Sequence, residues 1–132
     1  MALRSILEPD ELTRDYQISQ KLWDGHVNRT ERNLKRGTGF TALQANINEP
    51  ANTLVARYGK DGKECLIPVS EGQPPRKLTK REAARLQGFP ESFVLPEAKT
   101  PTYKQMGNSV AVPVVTEISN QLIKHLERNH AV

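Results

Sequence analysis

Pro75 to Pro90, PRKLTKREAARLQGFP, is the stretch whose reading decides the fold. Both ends of a short helix are written into it. Thr79 offers a side-chain oxygen to the orphan amides of a first turn, and Glu82, three residues on, can reach back to the Thr79 backbone, which is a capping box. Gly88 can take the left-handed conformation that ends a helix, and Pro90 cannot continue one. Ala83, Ala84 and Leu86 are good helix formers, so the spacing predicts a helix of about eight residues. Around it lie Arg76, Lys77, Lys80, Arg81 and Arg85, opposed within the stretch only by Glu82. Arg81 and Arg85 share a face at i,i+4 spacing, and a plain solvated basic helix stands beside any functional reading.

The rest of the composition suits a piece that packs on something else. A chain of 132 residues is one domain's worth of material, yet only 36% is hydrophobic, and nine prolines with eight glycines imply much loop. Net charge is +4 and the pI is near 9.4, a balance that favours a polyanionic partner. Cys65 is the only cysteine, which excludes a disulfide framework and a Cys-rich metal site. Nothing at the N-terminus resembles a signal peptide, and no apolar run approaches membrane-spanning length. A reducing, cytoplasmic setting without a membrane partner is expected.

Residues 1–18 read as an extended lead-in with at most a turn of helix. Ser19 is a good N-cap, Gln20 to Arg36 is compatible with helix, and Gly37 stands where a C′ glycine belongs. Leu22, Trp23, Val27 and Leu34 give it a partial apolar stripe, weakened by Gly25. Arg29, Arg32, Lys35 and Arg36 crowd its C-terminal end. Two readings stay open there: complementing the helix dipole, with Glu31 to Lys35 as an i,i+4 pair, or contacting phosphates. His26 has no second His or Cys at ligand spacing and reads as a packing histidine.

Residues 36–50 read as loop. NTLVARY and KECLIPV follow, separated by Gly59, Lys60, Asp61 and Gly62, and predict a β-hairpin with Arg57, Lys60 and Lys63 around its tip. A two-stranded ribbon fits the major groove of duplex DNA, where arginine can pair with guanine. Cys65 in the second run reads as an ordinary half-buried thiol. Residues 91–101 are expected to be irregular and Tyr103 to Ser109 a polar loop turning at Gly107 and Asn108. Val114, Val115, Ile118, Leu122 and Leu126 then predict an amphipathic helix from about Pro113 to about Arg128, with Pro113 in its first turn.

The stretch from Pro75 to Pro90 also resembles, almost residue for residue, the ninth motif of the cytosine-5 DNA methyltransferases, R-x-L-T-x-R-E-x-A-R-L-Q-G-F-P. TYKQMGNSVAVPVV, Thr102 to Val115, resembles the family's tenth motif, Y-K-Q-x-G-N-S-V. ISQKLWDGH, GTGF and ANTLVARYGKDGKECLI resemble the target-recognition domains of one methylase branch. Together these cover nearly the whole chain.

The resemblance implies an α+β fold. Residues 1–90 would form a recognition domain with a hairpin and helices, and residues 91–132 a tenth-motif loop and helix completing a Rossmann-like catalytic domain. It implies double-stranded DNA as partner, S-adenosylmethionine as methyl donor and cytosine as target, rotated out of the duplex because its reacting atoms are shielded in the stack. By position, Asn108 and Ser109 would line the cofactor pocket and Arg57, Tyr58 and Lys60 would read bases; the charge at the end of the first helix, apart from the resemblance, puts Lys35 and Arg36 forward as DNA contacts. Glu82 and Arg85 would be internal anchors, while Lys80 and Arg81 could meet phosphates or acidic neighbours.

The family's nucleophile is a cysteine in a Pro-Cys motif. Cys65 follows Glu64, and the glycine-rich cofactor loop, the Glu-Asn-Val segment and the eighth motif are missing from the sequence. The chain alone is therefore expected to hold no catalytic residue and to need a catalytic domain or subunit carrying the first eight motifs. It reads either as the small subunit of a naturally split enzyme, which Met1 favours, or as a truncated piece of a longer one. The alternative from another class is a stand-alone sequence-specific DNA-binding module without catalysis. A structural protein acting through the last helix explains neither motif.

Overall fold

Five α-helices follow three short 3-10 turns among the described residues. The turns are Leu3–Ile6, Asp10–Leu12 and Arg14–Tyr16, and the helices are α1 (Gln20–Arg36), α2 (Tyr58–Asp61), α3 (Lys80–Leu86), α4 (Lys99–Asn108) and α5 (Val112–His130). A computed structural model describes residues 1–131 apart from 38, 40 and 43, so part of the 36–50 segment lies outside the described residues.

Local sequence sets the helix ends at α1 and α3. The Thr79 hydroxyl accepts from the Glu82 amide at 3.1 Å, and the Glu82 carboxylate accepts from the Thr79 amide at 2.8 Å, completing the capping box. Gly88, at φ 80°, closes α3. Ser19 caps α1 by accepting from the Leu22 amide at 3.2 Å, and Gly37 ends it at φ 63°. The buried face of α1 is not the stripe that hydropathy suggests. His26 and Thr30 are buried, with Trp23, Val27 and Asn33 half-buried, whereas Leu22 and Leu34 are exposed. Thr30 decides this rotation: its hydroxyl accepts from the Ala42 amide at 2.8 Å and so ties the helix to the chain beyond it.

Among the described residues the expected hairpin is absent, and with it the strand content of an α+β fold. Among the described residues the β pairing consists of three isolated bridges: Gln17 with Arg76 and Ile67 with Arg76, both antiparallel, and Gln44 with Leu66, parallel. Where the hairpin tip was expected, the chain makes the single turn α2, ended by Gly62 at φ 56°. Tyr58 is the reason. Its ring is fully buried and meets Tyr103 edge-on, with centroids 5.1 Å apart. Its hydroxyl donates to the Cys65 carbonyl at 2.6 Å and accepts from the Leu78 amide at 2.8 Å. An isolated two-stranded ribbon is marginal in water, and burying this ring with both polar valences satisfied outweighs it.

α2 and α3 both pack on α4, and α3 also meets the first 3-10 turn. Leu3, Ile6, Leu54, Tyr58, Ile67, Leu78, Tyr103 and Met106 are the large apolar groups of the resulting core. The lead-in therefore contributes two core residues rather than running free. The loop expected at Tyr103 to Ser109 is instead the body of α4, because Thr102, Tyr103 and Met106 are buried at helical spacing. Pro101 falls in the first turn of α4, where a missing N–H costs no internal bond. α5 begins with Pro113 in its first turn, as its sequence predicts, and every residue from 113 to 130 is exposed.

Candidate functional site

The turn joining α4 to α5 is held from below by the end of α3. Gln87 donates from its carboxamide to the Met106 carbonyl at 2.7 Å, and its own carbonyl accepts from the Val112 amide at 2.8 Å. One residue thus grips both sides of the segment from Met106 to Val112. Gly107 lies so close to the chain before α2 that a Cβ there would stand 2.3 Å from the Ala56 nitrogen and the Val55 carbonyl carbon. That approach sets the tenth-motif turn beside the residues leading into Arg57. At its apex Asn108 is exposed, and its carboxamide makes no hydrogen bond to the described residues. Ser109 is half-buried and donates from Oγ to the Met106 carbonyl at 2.7 Å.

Beneath lies a buried polar knot. Arg76 donates to both oxygens of Glu82, at 2.8 and 2.9 Å, and the same carboxylate accepts from the Glu8 and Thr79 amides, each at 2.8 Å. Glu8 closes it by accepting from the Thr79 hydroxyl at 2.5 Å. Glu82 is therefore tied to Arg76 and the N-terminal segment. Arg85 stands apart from the knot: it bonds Glu91 at 2.6 Å and 3.1 Å and the Ile6 carbonyl at 3.1 Å. The hydrogen bond from Arg85 holds the Glu91 carboxyl below its ordinary range.

The DNA-facing candidates divide. Arg57 and Lys60 are exposed at the start of α2 and within it, and Lys35 and Arg36 are exposed in the last turn of α1. Tyr58 is sealed in the core, which corrects its assignment as a base reader: no face of its ring is left to meet a base. Lys80 is spent internally on the Pro96 and Glu97 carbonyls at 2.9 and 2.6 Å. Arg81 turns to the Phe93 carbonyl at 3.1 Å.

Cys65 is fully buried, and burial pushes its thiol up to about 11. A thiol that stays protonated and has no access to solvent is a poor nucleophile. Among the described residues no group of three or more His, Cys, Asp or Glu could hold a metal, and no helix is long and apolar enough to cross a membrane.

A family model for the C-5 cytosine-specific DNA methylases matches residues 1–124. The chain belongs to that family. Within this methylase family it is 51% identical over 115 residues to the type II methyltransferase M1.ScrFI of Lactococcus lactis subsp. cremoris, covering 86% of this chain and 29% of the relative. It is 50% identical over 113 residues to the type II methyltransferase M.SsoII of Shigella sonnei, covering 85% and 30%. The chain thus spans less than a third of the length of either methylase. The fold is also that of the S. pombe Dnmt2 methyltransferase, at a TM-score of 0.71 and 21% identity, covering 96% of this chain and 43% of that one.

Three residues that shape this methylase segment escape a reading of the sequence alone: Arg76, Gln87 and Glu8. Arg76 looks like one more surface cation in a basic run. Only its neighbour Pro75, buried beside it, hints that the run passes through the interior. Gln87 carries a subtler signal, a polar side chain placed just before the glycine that ends a helix. Glu8 carries none, since its partner lies 71 residues away.

Proposed function

We propose that this chain is the DNA-recognition and cofactor-site-completing part of a DNA (cytosine-5)-methyltransferase, which moves a methyl group from S-adenosylmethionine to carbon 5 of cytosine in duplex DNA. The observation that carries the reading is α5. Val114, Ile118, Leu122 and Leu126 line one side of it, all exposed, in a chain that matches a methylase family over 1–124 yet spans under a third of its relatives' length. A bare apolar helix face in water calls for a covering surface, and the catalytic part carrying the first eight motifs supplies one. A stand-alone DNA-binding module has no use for such a face. Whether the two parts are separate subunits or one polypeptide does not alter the argument.

Asn108 and Ser109 suit the amino-acid end of the methyl donor. The free carboxamide of Asn108 can donate to a carboxylate, while Ser109, its proton committed to Met106, presents lone pairs to an ammonium group. When bound, S-adenosylmethionine supplies an electrophilic methyl on a sulfonium. Gln87 and Gly107 hold the turn in place for that contact. Arg57 and Lys60 face the grooves, Lys35 and Arg36 meet phosphates, and Glu82 and Arg85 fix α3 beneath them. The nucleophile comes from the catalytic part, since Cys65 is buried and protonated, so the chain alone is inactive. The assembled enzyme works in the cytoplasm, at the nucleoid.

Mixing the chain with a catalytic part bearing the remaining motifs tests this. Labelled methyl groups should reach cytosine in duplex DNA only when both are present. A soluble complex that transfers none would overturn the proposal.

A further inference from the structure

α1 segregates its charge. At 100° per residue, Lys21, Arg29, Arg32, Lys35 and Arg36 fall within an arc of about 120°, opposite the buried His26 and Thr30. All five are exposed, and only Gly25 and Asn28 share the arc with them. The two acids of the helix, Asp24 and Glu31, lie on its flank, and Asp24 accepts from Gln20 at 2.8 Å. Five cations against two acids give this helix three of the chain's four net positive charges.

These cations also differ from those around α3 in how they are used. Arg76, Lys80, Arg81 and Arg85 each bond a carbonyl or carboxylate of the chain itself, and Lys77 reaches the Gly59 carbonyl at 2.7 Å. None of the five on α1 makes a hydrogen bond or ion pair with a described residue. Helix-dipole complementation accounts for Lys35 and Arg36 in the last turn. It does not account for Arg29, and at Lys21 in the first turn it runs the wrong way, because a cation there faces the positive end of the dipole.

We propose that this face of α1, from Lys21 to Arg36, is a sequence-independent track for the phosphate backbone of duplex DNA, separate from the base-reading positions around Arg57. It rests on the reading that the chain engages DNA, and extends it to Lys21, Arg29 and Arg32. Lys21 to Arg36 rise about 22 Å along the helix, as long as about six base-pair steps of duplex axis at about 3.4 Å each. Gly25 leaves the middle of the face low, with nothing within 4 Å of where its Cβ would stand, so a duplex can lie close. Backbone contacts of this kind fix position and add affinity without reading sequence.

The test is salt-dependent binding of the full chain to target and random-sequence duplexes, measured by fluorescence anisotropy. Two triple variants are compared with the unaltered chain: Arg29→Gln/Arg32→Gln/Arg36→Gln and Arg29→Lys/Arg32→Lys/Arg36→Lys. The Gln variant should lose roughly tenfold or more in affinity for both duplexes at 0.1 M salt, and its slope of log K against log salt should fall by about 2 to 3. The Lys variant should keep slope and affinity. All six substitutions are at exposed sites, and circular dichroism checks the helix. An unchanged slope in the Gln variant, or no duplex binding by the unaltered chain, overturns the track. Loss confined to the target duplex, or a Lys variant as weak as the Gln variant, overturns it in favour of base reading. Retained duplex binding with lost assembly onto the catalytic part overturns it in favour of an acidic protein surface. Methyl transfer by the assembled unaltered enzyme is scored separately: its absence sinks the proposed function, whereas a flat salt response in an active enzyme sinks only the track.

Discussion

Arg76 and Glu82 form a two-pronged ion pair inside the protein, with N–O distances of 2.8 and 2.9 Å and side chains 5% and 0% exposed. The same carboxylate receives two backbone amides, so one acidic group organises the start of α3, the extended segment before it and the N-terminal lead-in. Removing the charge with Glu82→Gln strands a buried guanidinium. Breaking a buried pair from one side costs about 3 to 5 kcal/mol, which should show as a large drop in the urea midpoint. A loss below about 1 kcal/mol would show that the knot tolerates a neutral partner.

Two glycines should respond in opposite directions to alanine. At Gly107 a Cβ would sit 2.3 Å from the backbone at Val55 and Ala56, which cannot yield as a flexible side chain would. Gly107→Ala should therefore destabilise by about 1 to 3 kcal/mol. Gly25 is exposed in mid-helix with open space around it, so Gly25→Ala should stabilise α1 by about 0.5 to 1 kcal/mol. Thermal unfolding of the two variants compares them directly.

The outer face of α5 should matter for assembly and not for the chain's own stability. Ile118→Lys with Leu122→Lys replaces two residues that are 62% and 57% exposed. The chain's unfolding midpoint should hardly move, while co-purification with a catalytic part should fall at least tenfold. A large stability loss with assembly intact would mean that this face packs on the chain itself.

Cys65 gives a prediction in pH. Its folded thiol lies at about 11, above the ordinary value near 9, so the unfolded chain releases this proton first as pH rises. Its stabilising contribution is complete below pH 9 and is lost between 9 and 11. At about 1.36 kcal/mol per pH unit, the unfolding free energy of the unaltered chain relative to Cys65→Ala should shrink by about 2 to 3 kcal/mol across that window. Native protein at pH 8 should be silent to a thiol reagent and react fully once denatured.

Arg57 and Asn108 should separate recognition from donor binding in the assembled enzyme. Arg57→Ala should relax target discrimination by about 1 to 3 kcal/mol if its guanidinium pairs with a guanine. Asn108→Ala should weaken S-adenosylmethionine binding, read by calorimetry, and leave target preference alone. Crossed effects would refute both assignments.

Expectations from sequence hold where one turn of chain supplies all the partners. Ser19 and Gly37 bound α1, Thr79, Glu82 and Gly88 bound α3, and Pro113 sits in the first turn of α5, because caps and helix-breaking residues act within three or four positions. They fail where a distant group competes. The hairpin expected around Gly59 to Gly62 gives way to α2 because Tyr58 finds Leu78 and Tyr103. The expected loop over Tyr103 to Ser109 becomes helix because Thr102, Tyr103 and Met106 are buried against the core.

By itself the sequence determined the family, the caps of its helices, the basic face of α1 and the apolar face of α5, since each depends on residue identity and helical spacing alone. Only the tertiary structure decided that Tyr58 is a core strut, that Arg76 is the partner of Glu82 and that Gln87 grips the turn bearing Asn108. Those roles follow from burial and from bonds to residues well outside the local turn, such as Leu78 to Tyr58 and Val112 to Gln87, and a polar side chain carries no mark of which buried partner will satisfy it.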